Sequence, residues 1–498
     1  MTQICVFFPF SFLEGDRHVI YDVVIVGAGV VGGMLARELS RYDLRVCLLE
    51  KENDVAMGAS KANSGIVHGG YDPVPGTLKA KLNSEGVEPL FAAAQDLSVS
   101  CKRNGSMVCA FSEAEEPILE ELYQQGQENN IPGLAILSGE EARKLEPNLS
   151  DAVTKVLHVT NAGIISPYEL TVAAVGNAMD NGVALKRNFS VSAIGREDGV
   201  FTVTAASGET VKANYLVNCA GGHSDKIAEL AGDGFFTIIP RAGEYMLLDK
   251  AEGSRVGHTL FQCPTEDGKG ILVSPTVHGN LLVGPTAVRV ETPDCKDTTP
   301  EGLAQVERLA AKSVPSVNFR QVITSFTGVR ASEKTGDFII EASKKVPGMV
   351  HAAAIDSPGL TCCVSIAKYL TEILREQGLC LREKENWDGT REDPCAFQNM
   401  TDEEKDAYIK ENPAYGKIVC RCETVSEGEI LQAIRTNPGA RDIDGVKRRT
   451  RSGMGRCQGG FCGPYVMALL SSELGVPMEA VTKNGGDSQM VLGRIGEV

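Results

Sequence analysis

The feature that most constrains the fold of this sequence is a glycine triplet near the amino terminus. Gly27, Gly29 and Gly32 are spaced as G-x-G-x-x-G and follow the β-branched run at 23–26, which predicts a buried parallel strand. A predicted helix and a second apolar strand come next, and that strand ends at Glu50. Gly27 permits a tight turn, Gly29 leaves room for a pyrophosphate, and Gly32 allows close packing of helix on strand. Glu50 can accept hydrogen bonds from ribose hydroxyls, so the pattern predicts a dinucleotide site.

Composition narrows the class of protein further. The 498 residues are 43% hydrophobic and 23% charged, which is ordinary for a globular chain and sufficient for two or three domains. The net charge of −16 argues against nucleic acid as the main partner, and no apolar run is long enough to predict a membrane span. The apolar stretch at 5–13 lacks the flanking residues of a signal peptide, so we interpret residues 1–20 as a dispensable or mistranslated extension.

The fifteen cysteines fall into two groups. Eleven are scattered, and we expect them to be buried small hydrophobes rather than disulfides, which indicates a reducing cytoplasm. Cys420, Cys422, Cys457 and Cys462 are instead arranged as C-x-C, 34 intervening residues and C-x-x-x-x-C. Two close pairs beside glycines predict a metal–thiolate cage, with structural zinc or unligated thiols as alternatives.

Small and polar residues follow the second predicted strand, in the stretch GASKANSGIVHGGY at 58–71 and PGTLKAK at 75–81. Such a stretch can lay backbone amides along a cofactor. Here the sequence resembles the FAD-dependent oxidoreductases of the D-amino-acid-oxidase and glycerol-3-phosphate-dehydrogenase superfamily, over residues 21–375. The stretch at 63–82 is most similar to the L-2-hydroxyglutarate oxidase branch. Further segments resemble the superfamily in the same order, namely NAGIISPYELT, YLVNCAGG, IPRAGEYMLL, SPTVHGNLLVGPT, TGVR and IDSPGLT.

The resemblance adds further cofactor contacts to the glycine triplet and Glu50. The residues that it places near FAD are Lys51, Ser60, Asn63, Ser64, Gly65, Ala220, Gly221, Gly328, Ser357, Gly359, Leu360 and Thr361.

Flavin chemistry requires a group that removes a proton beside the carbon that gives up hydride. His68 lies in the cofactor-adjacent stretch and is our candidate base, with flavin contact or simple packing as alternatives. His278, at the turn of a predicted hairpin, is a second candidate.

An anionic substrate is bound best by arginine, because the guanidinium fork makes two hydrogen bonds at once. Arg330 is the first candidate for substrate contact at the catalytic site, followed by Arg241 and Lys334. Surface or cofactor-phosphate ion pairs are the alternatives. Tyr245 is predicted to line the pocket, or else to pack in the core.

The segment at 415–470 resembles the BFD-like [2Fe–2S] domain, and similar tails occur on the large subunit of anaerobic glycerol-3-phosphate dehydrogenases. The resemblance implies that the four clustered cysteines ligate a [2Fe–2S] cluster. A basic run precedes Cys457, and we expect it to stabilise the negative cluster, with a solvated cationic face or a nucleic-acid patch as alternatives. The run consists of Lys447, Arg448, Arg449, Arg451 and Arg456.

These observations predict an α/β protein with a Rossmann-like FAD-binding domain, an interleaved α+β substrate domain and a small, mainly helical [2Fe–2S] domain. The predicted boundaries are an extension at 1–20, an oxidoreductase at 21–375, a linker at 376–413 and the [2Fe–2S] domain at 414–498. Within the oxidoreductase, the FAD-binding parts are about 21–90, 155–235 and 325–375, and the substrate parts are about 91–154 and 236–324.

The predicted function is oxidation of a small anionic secondary alcohol by hydride transfer to FAD, with single electrons relayed through the cluster to a partner. The tail favours sn-glycerol 3-phosphate as substrate, and the amino-terminal stretch favours L-2-hydroxyglutarate. The sequence is also compatible with an amine or amino-acid oxidase and with a non-catalytic electron carrier. The expected partner is a second flavoprotein or a quinone-linked subunit, and the expected location is cytoplasmic, or peripheral to a membrane through that partner.

Overall fold

The computed structural model describes residues 19–264, 270–393 and 396–493. Almost all of the predicted extension at 1–20 therefore lies outside the described residues, as do Cys5 and Cys395. Within the described ranges, no helix combines the length and the apolar character that a membrane crossing needs.

Strands and helices are interspersed in the first third of the chain, and runs of consecutive strands follow. The strands are β1 (Ile20–Val26), β2 (Val46–Leu49), β3 (Ile66–Val67), β4 (Cys101–Lys102), β5 (Ser106–Ala110), β6 (Leu134–Ser138), β7 (Lys155–Val159), β8 (Gly163–Ile165), β9 (Ala184–Lys186), β10 (Val191–Glu197), β11 (Val200–Ala205), β12 (Thr210–Asn218), β13 (Ile239–Leu248), β14 (Thr259–Gln262), β15 (Leu272–Pro275), β16 (Leu281–Gly284), β17 (Val288–Arg289), β18 (Val322–Ser332), β19 (Ile339–Ala342), β20 (Met349–Ala353), β21 (Ile418–Cys420) and β22 (Val425–Ser426). The helices are α1 (Val30–Leu39), α2 (Leu78–Ser84), α3 (Val87–Asp96), α4 (Glu116–Glu128), α5 (Gly139–Leu145), α6 (Pro167–Asp180), α7 (Ser224–Leu230), α8 (Pro300–Ser313), α9 (Gly359–Glu376), α10 (Ala396–Asn399), α11 (Asp402–Glu411), α12 (Glu427–Arg435), α13 (Ile443–Thr450) and α14 (Gly463–Leu474).

The first sheet has a parallel centre. The order of its strands is β10-β11-β12-β1-β2-β9. The β20 strand pairs with β12, and β19 pairs with β20. The β12, β1, β2, β9 and β20 pairings are parallel. Both faces of β1 and β2 are buried, since Val23 and Ile25 lie in one apolar cluster while Val24 and Val26 lie in another. Alternate residues of a strand point to opposite faces, so a strand covered on both faces requires the continuous apolar run seen in the sequence.

The second sheet is mainly antiparallel. Its path is β17-β13-β16-β15-β14-β5-β7-β6, with β18 paired to the other edge of β13. One face packs against α8 through Val306 and Ala310. The predicted hairpin is confirmed as β15 and β16. The structure differs from the predicted domain boundaries at β7 and β18, because a strand belongs to the sheet with which it pairs, whatever its position along the chain.

The carboxy-terminal domain has a separate core built from β21, β22 and the helices α12, α13 and α14. The α12 helix begins with a capping box, in which Ser426 and Glu429 each bond the other's backbone N–H. Together with the two larger sheets, this domain confirms the predicted fold class.

The first part of the predicted linker packs against the oxidoreductase. The indole N–H of Trp387 donates to Ser40 Oγ at 3.0 Å, and the guanidinium groups of Arg37 and Arg41 lie 5.5 and 5.1 Å from its ring centre. These contacts hold the segment against the end of α1. The later part of this segment contains the helix α11, which Thr401 caps.

Most of the isolated cysteines are buried as predicted. Cys101 and Cys295 are partly buried, and the prediction is wrong for Cys380, which is exposed. Cys380 follows the turn that ends α9, where no neighbouring element covers the side chain.

Candidate active site and cysteine cluster

The glycine turn between β1 and α1 excludes side chains at two of its three positions. Gly27 has a φ of +106°, and a Cβ there would lie 2.5 Å from the carbonyl oxygen of Cys219. A Cβ on Gly32 would lie 2.0 Å from the carbonyl oxygen of Gly27. Gly29 is the residue before α1, and it faces Ser60 Oγ, which accepts from the Val30 N–H at 2.9 Å. The turn therefore presents a helix amino terminus to a cleft, as a pyrophosphate requires.

Glu50 is held at the wall of this cleft by backbone groups. The N–H groups of Ala28 and Glu52 donate to its two carboxylate oxygens at 2.9 and 3.0 Å, and the residue is 8% exposed. Burial raises the pKa of Glu50, which the two backbone donors oppose. Next to it, Lys51 lies near Asp294 and His223 at the mouth of the cleft. Carboxylate lone pairs that the backbone leaves unused can accept from ribose hydroxyls.

The cleft has a volume of about 1440 Å³ and lies between the two sheets. Fourteen of the sixteen predicted cofactor residues line it, and Gly32 and Thr361 lie just behind its wall. The fourteen are Gly27, Gly29, Glu50, Lys51, Ser60, Asn63, Ser64, Gly65, Ala220, Gly221, Gly328, Ser357, Gly359 and Leu360.

The loop after β2 is fixed by its own polar side chains. The Asn63 amide donates to the carbonyl of Ala59 at 2.9 Å and accepts from the N–H of Gly65 at 2.9 Å. Ser64 Oγ lies 3.2 Å from the hydroxyl of Tyr245. The loop contains a 3₁₀ turn at Ala59–Lys61, and its residues line the cleft.

His68 lies where this loop meets the start of α9. Its backbone N–H donates to Thr361 Oγ1 at 2.9 Å, and its ring Nε2 lies 3.3 Å from Ser357 Oγ. The ring centre is 5.9 Å from that of Phe261, on the second sheet. The imidazole thus lines the cleft where the nucleotide-binding loop, the α9 amino terminus and the second sheet converge.

Three arginines are neighbours across the second sheet. Arg241 on β13 is directly opposite Arg330 on β18 and Arg289 on β17, so the three side chains share one face. Arg241 and Arg330 line the cleft. Among the described residues, none of the three has an ion pair or a side-chain hydrogen bond. Like charges directly opposite one another are destabilising, so this arginine row is suited to an anionic ligand.

Tyr245, on the same strand, lines the cleft and is buried. Its ring stacks on Phe326 with 4.8 Å between ring centres, while its hydroxyl reaches Ser64. Both predicted roles, core packing and pocket lining, apply to this one side chain.

Two candidates lie outside the cleft. Lys334 is exposed on the connection between β18 and β19 and does not line it. His278 Nε2 lies 2.7 Å from Glu169 Oε1, beside a separate cavity at the carboxy-terminal domain that Arg451 also lines. The second candidate base is therefore not placed for chemistry in the cleft.

Lys79 and Asp356 are cleft residues that sequence reasoning missed. Lys79 Nζ lies 2.6 Å from Asp356 Oδ1, and Ser332 donates to the other carboxylate oxygen at 2.8 Å. The ion pair is mostly buried in the wall of the cleft. Lys79 belongs to the PGTLKAK stretch, and the position of this stretch beside the cofactor loop could have identified Lys79 as a cleft residue. Its partner Asp356 is 277 residues away in the sequence.

The four clustered cysteines come together in the carboxy-terminal domain. The Cys422 sulfur lies 3.8 Å from that of Cys420 and 3.9 Å from that of Cys457, and Cys462 hydrogen-bonds to Cys420. Cys420 ends β21, and Cys462 is the residue before α14. Two thiolates on one tetrahedral metal, with bonds of about 2.3 Å, would stand about 3.8 Å apart, so these spacings suit shared metal ligation.

Backbone donors favour thiolates at two of these positions. The pKa of Cys420 is lowered to about 5 by the hydrogen bond from Cys462, helped by the N–H groups of Gly453 and Glu423 against the effect of burial. The pKa of Cys457 is lowered first by the N–H of Phe461. The thiolate is the form that binds metal.

The number of sulfurs also matches a two-iron cluster. A [2Fe–2S] cluster needs only two thiolates at each iron, which four sulfurs in adjacent pairs can supply.

Arg448 and Arg449 do not serve the cysteine cluster as expected. Both guanidinium groups bind the buried carboxylate of Asp54, on the loop after β2 in the first sheet. Burial opposes ionisation of Asp54, but the two cations outweigh it and hold its pKa well below the ordinary value. This Asp54 ion cluster joins the two domains, because its members come from opposite sides of their boundary.

Two further arginines of the basic run also bind carboxylates. Arg451 Nε lies 2.9 Å from Glu423, and Arg456 Nη2 lies 2.9 Å from Asp249, at the end of β13. The basic run is therefore largely an inter-domain contact surface.

Comparison with known proteins agrees with this geometry. The family model for FAD dependent oxidoreductases matches residues 22–373, and that for the BFD-like [2Fe-2S] binding domain matches residues 418–472. The chain belongs to the family of FAD-dependent oxidoreductases and carries a carboxy-terminal BFD-like domain. Its cofactors are FAD and a [2Fe–2S] cluster, and the residues of the cleft and of the cysteine cluster fit these groups.

Individual relatives are similar to this chain to different extents. The chain is 44% identical over 473 residues to a glycerol 3-phosphate dehydrogenase of Caloramator mitchellensis, covering 95% of this chain and 98% of that one. It is 31% identical over 286 residues to the human mitochondrial L-2-hydroxyglutarate dehydrogenase, covering 54% and 61%. The FAD-bound L-alpha-glycerophosphate oxidase structure from Mycoplasma pneumoniae superposes with a TM-score of 0.71 at 33% identity, covering 75% of this chain and 99% of that chain.

Proposed function

We propose that this enzyme oxidises sn-glycerol 3-phosphate to dihydroxyacetone phosphate. The arginine row carries the proposal, because its two guanidinium groups in the cleft, which have no ion pair within the described ranges, match a phosphate ester. The similarity to a glycerol 3-phosphate dehydrogenase over nearly the whole chain supports the same substrate. The likeness to L-2-hydroxyglutarate dehydrogenase covers a smaller share of both chains.

Different residues of the cleft have different roles in the proposed reaction. When bound, FAD supplies a two-electron acceptor, and the cluster supplies a one-electron acceptor. In our proposal, Arg330 and Arg241 bind the phosphate and so fix the position of the secondary alcohol. His68 removes the hydroxyl proton through its ring nitrogen, and Ser357 orients that ring through the 3.3 Å contact. The Lys79–Asp356 ion pair braces the wall between α2 and the residues that precede α9.

We further propose that electrons leave through the cysteine cluster to a protein acceptor, either a second flavoprotein or a quinone-linked subunit. The cluster lies at the domain surface, where Cys422 is exposed, which supports transfer between proteins. Function in the cytoplasm, or at a membrane through that acceptor, belongs to the same proposal.

An anaerobic titration tests the substrate. Glycerol 3-phosphate is expected to bleach the flavin at lower concentration than L-2-hydroxyglutarate or glycine. Arg330→Ala is expected to raise the half-saturating concentration about 10- to 100-fold, since a charge-assisted hydrogen bond contributes about 1.5–3 kcal/mol. Lys334→Ala is the matched control, because Lys334 is exposed outside the cleft, and its half-saturation should remain at the parental value. Preferential bleaching by another of the three compounds would refute the proposal.

A further inference from the structure

The cysteine cluster reaches the surface beside one unusually exposed aromatic side chain. Phe461 is 85% exposed although it directly precedes the buried ligand Cys462. Its backbone N–H donates to the sulfur of Cys457, which itself lies 3.9 Å from that of Cys422. The solvated ring is therefore connected to a cluster ligand through its own main chain, without any intervening residue.

Other exposed apolar groups continue this surface. Tyr465, on the first turn of α14, is 52% exposed, and Ile418, at the start of β21, is 45% exposed. The two elements meet here, since Lys417 Nζ lies 5.0 Å from the centre of the Tyr465 ring. We call Ile418, Arg421, Cys422, Phe461 and Tyr465 the exit face. Large apolar side chains grouped on a surface are typical of an interaction site.

Several exposed cations lie around the exit face, in a chain whose net charge is −16. Arg421 lies between two cluster ligands, is exposed, and has no ion pair or side-chain hydrogen bond among the described residues. In three nearby ion pairs the cation is the more exposed member. The side-chain exposures are 49% for Lys250 against 4% for Glu423, 71% for Arg456 against 14% for Asp249, and 52% for Lys417 against 20% for Glu427.

We propose that the exit face is the docking surface for an acidic redox protein, whose own prosthetic group is surrounded by carboxylates. This inference rests on the proposed relay of electrons through the cluster. An acidic partner is attracted to this face and repelled by the remainder of the acidic chain, so charge orients the encounter. Phe461 then acts as the apolar anchor at the centre, where binding energy is concentrated. Docking at this place brings the acceptor next to a cluster ligand.

Binding of two haem proteins of opposite charge tests the proposal. The probes are the soluble domain of cytochrome b5, which is acidic, and cytochrome c, which is basic. Dissociation constants are measured by titration calorimetry with the oxidised holoenzyme and no substrate. Cytochrome b5 is expected to bind more tightly than cytochrome c, and to weaken about tenfold between low ionic strength and about 0.15 M salt.

Variants of the exit face are matched with variants elsewhere. Arg421→Glu and Phe461→Ala are each expected to weaken cytochrome b5 binding about three- to tenfold. Because both residues adjoin cluster ligands, Lys417→Glu and Tyr465→Ala are measured as well, and the cluster absorbance must match that of the parent. Arg382→Glu and Leu145→Ala are the controls, since these exposed residues lie outside the carboxy-terminal domain, and they should bind like the parent.

Equal affinity for cytochrome b5 in the parent and in variants that retain the cluster would overturn the proposal, as would tighter binding of cytochrome c. A third result would also overturn the proposal, namely exit-face variants that no longer co-sediment with phosphatidylserine vesicles but bind cytochrome b5 like the parent. The exit face would then be a site for an anionic membrane. These measurements use no substrate, so failure of glycerol 3-phosphate to reduce the flavin would leave their outcome unaffected.

Discussion

Removing the carboxylate of Asp54 is the sharpest test of how the two domains are held together. Asp54 is fully buried and binds Arg448 and Arg449, whose side chains are 5% and 6% exposed. Asp54→Asn preserves the shape of the side chain but leaves two guanidinium groups buried without their counter-ion. The first sheet would then lose its main charged contact with α13.

The magnitude follows from the degree of burial. Breaking a buried ion pair by removing one partner costs about 3–5 kcal/mol. Arg448 retains Asp442 at 3.8 Å, and Arg449 retains the carbonyl of Pro438, so the lower end of that range applies. A loss of about 3 kcal/mol corresponds to a change of about 100-fold in the docking equilibrium of the carboxy-terminal domain.

Hydrogen exchange measures this equilibrium directly, because amides of α13 and of the loop after β2 exchange when the domains separate. Their exchange is expected to be about 100-fold faster in Asp54→Asn, while β1 keeps its protection. Asp43→Asn is the control, since Asp43 is 64% exposed and pairs with an exposed Arg382; it should change stability by less than about 1 kcal/mol.

The effect also depends on pH with a definite sign. The folded-state pKa of Asp54 is depressed, so its stabilising contribution is complete above the ordinary aspartate pKa of about 3.9 and disappears as the pH falls below it. The difference between parent and variant should therefore be constant above about pH 5 and shrink in acid. Burial chiefly, and also the neighbouring charge of Asp54, raise the pKa of Asp442, so this carboxyl group also titrates differently in the two proteins. Equal exchange rates in α13 at neutral pH would refute the reasoning.

Three further variants test the placement of cofactor and base. The Gly29→Val variant should fold, as judged by circular dichroism, but should be purified without FAD, because the valine side chain would fill the space before α1. Gly195→Ala, at an open position, is the control and should keep its flavin. A yellow Gly29→Val protein would contradict the placement of the cofactor. The Cys457→Ser variant should lose the cluster absorbance, while substrate should still bleach its flavin. Cys380→Ser, at an exposed isolated cysteine, is the control and should keep the cluster absorbance and the flavin reduction. If Cys457→Ser retains the cluster, Cys457 is not a ligand. His68→Ala should slow flavin reduction by about 10²- to 10⁴-fold and flatten its pH profile, and an unchanged profile would remove His68 as the base.

The structure also explains why one chain carries both cofactor sites in a fixed relation. The loop after β2 supplies Glu50 to the cleft and, four residues later, Asp54 to the domain boundary. The β13 strand carries Arg241 and Tyr245 in the cleft, and Asp249 just beyond its end binds Arg456 beside the cysteine cluster. Both connections are short, because four residues separate Glu50 from Asp54 and Asp249 follows directly after β13.

The sequence by itself determined the parts of this protein that depend on local backbone chemistry. Gly32 is required because a Cβ there would collide with the carbonyl oxygen of Gly27 on the same turn, and the four cysteines are identified by their spacing in two tight pairs. A short motif specifies such features, because the residues concerned are close together in the sequence.

Tertiary structure alone decided which distant side chains became neighbours. Arg241 and Arg330 are opposite one another only because β13 and β18 pair in one register, and a shift of one residue would turn one of them to the other face. Lys79 finds Asp356, Asp54 finds Arg448, and His278 is directed away from the cleft through contacts between residues more than a hundred positions apart. Charges and hydroxyls of this kind leave no periodic pattern in a sequence, since their partners are chosen by packing of the apolar core rather than by local backbone geometry.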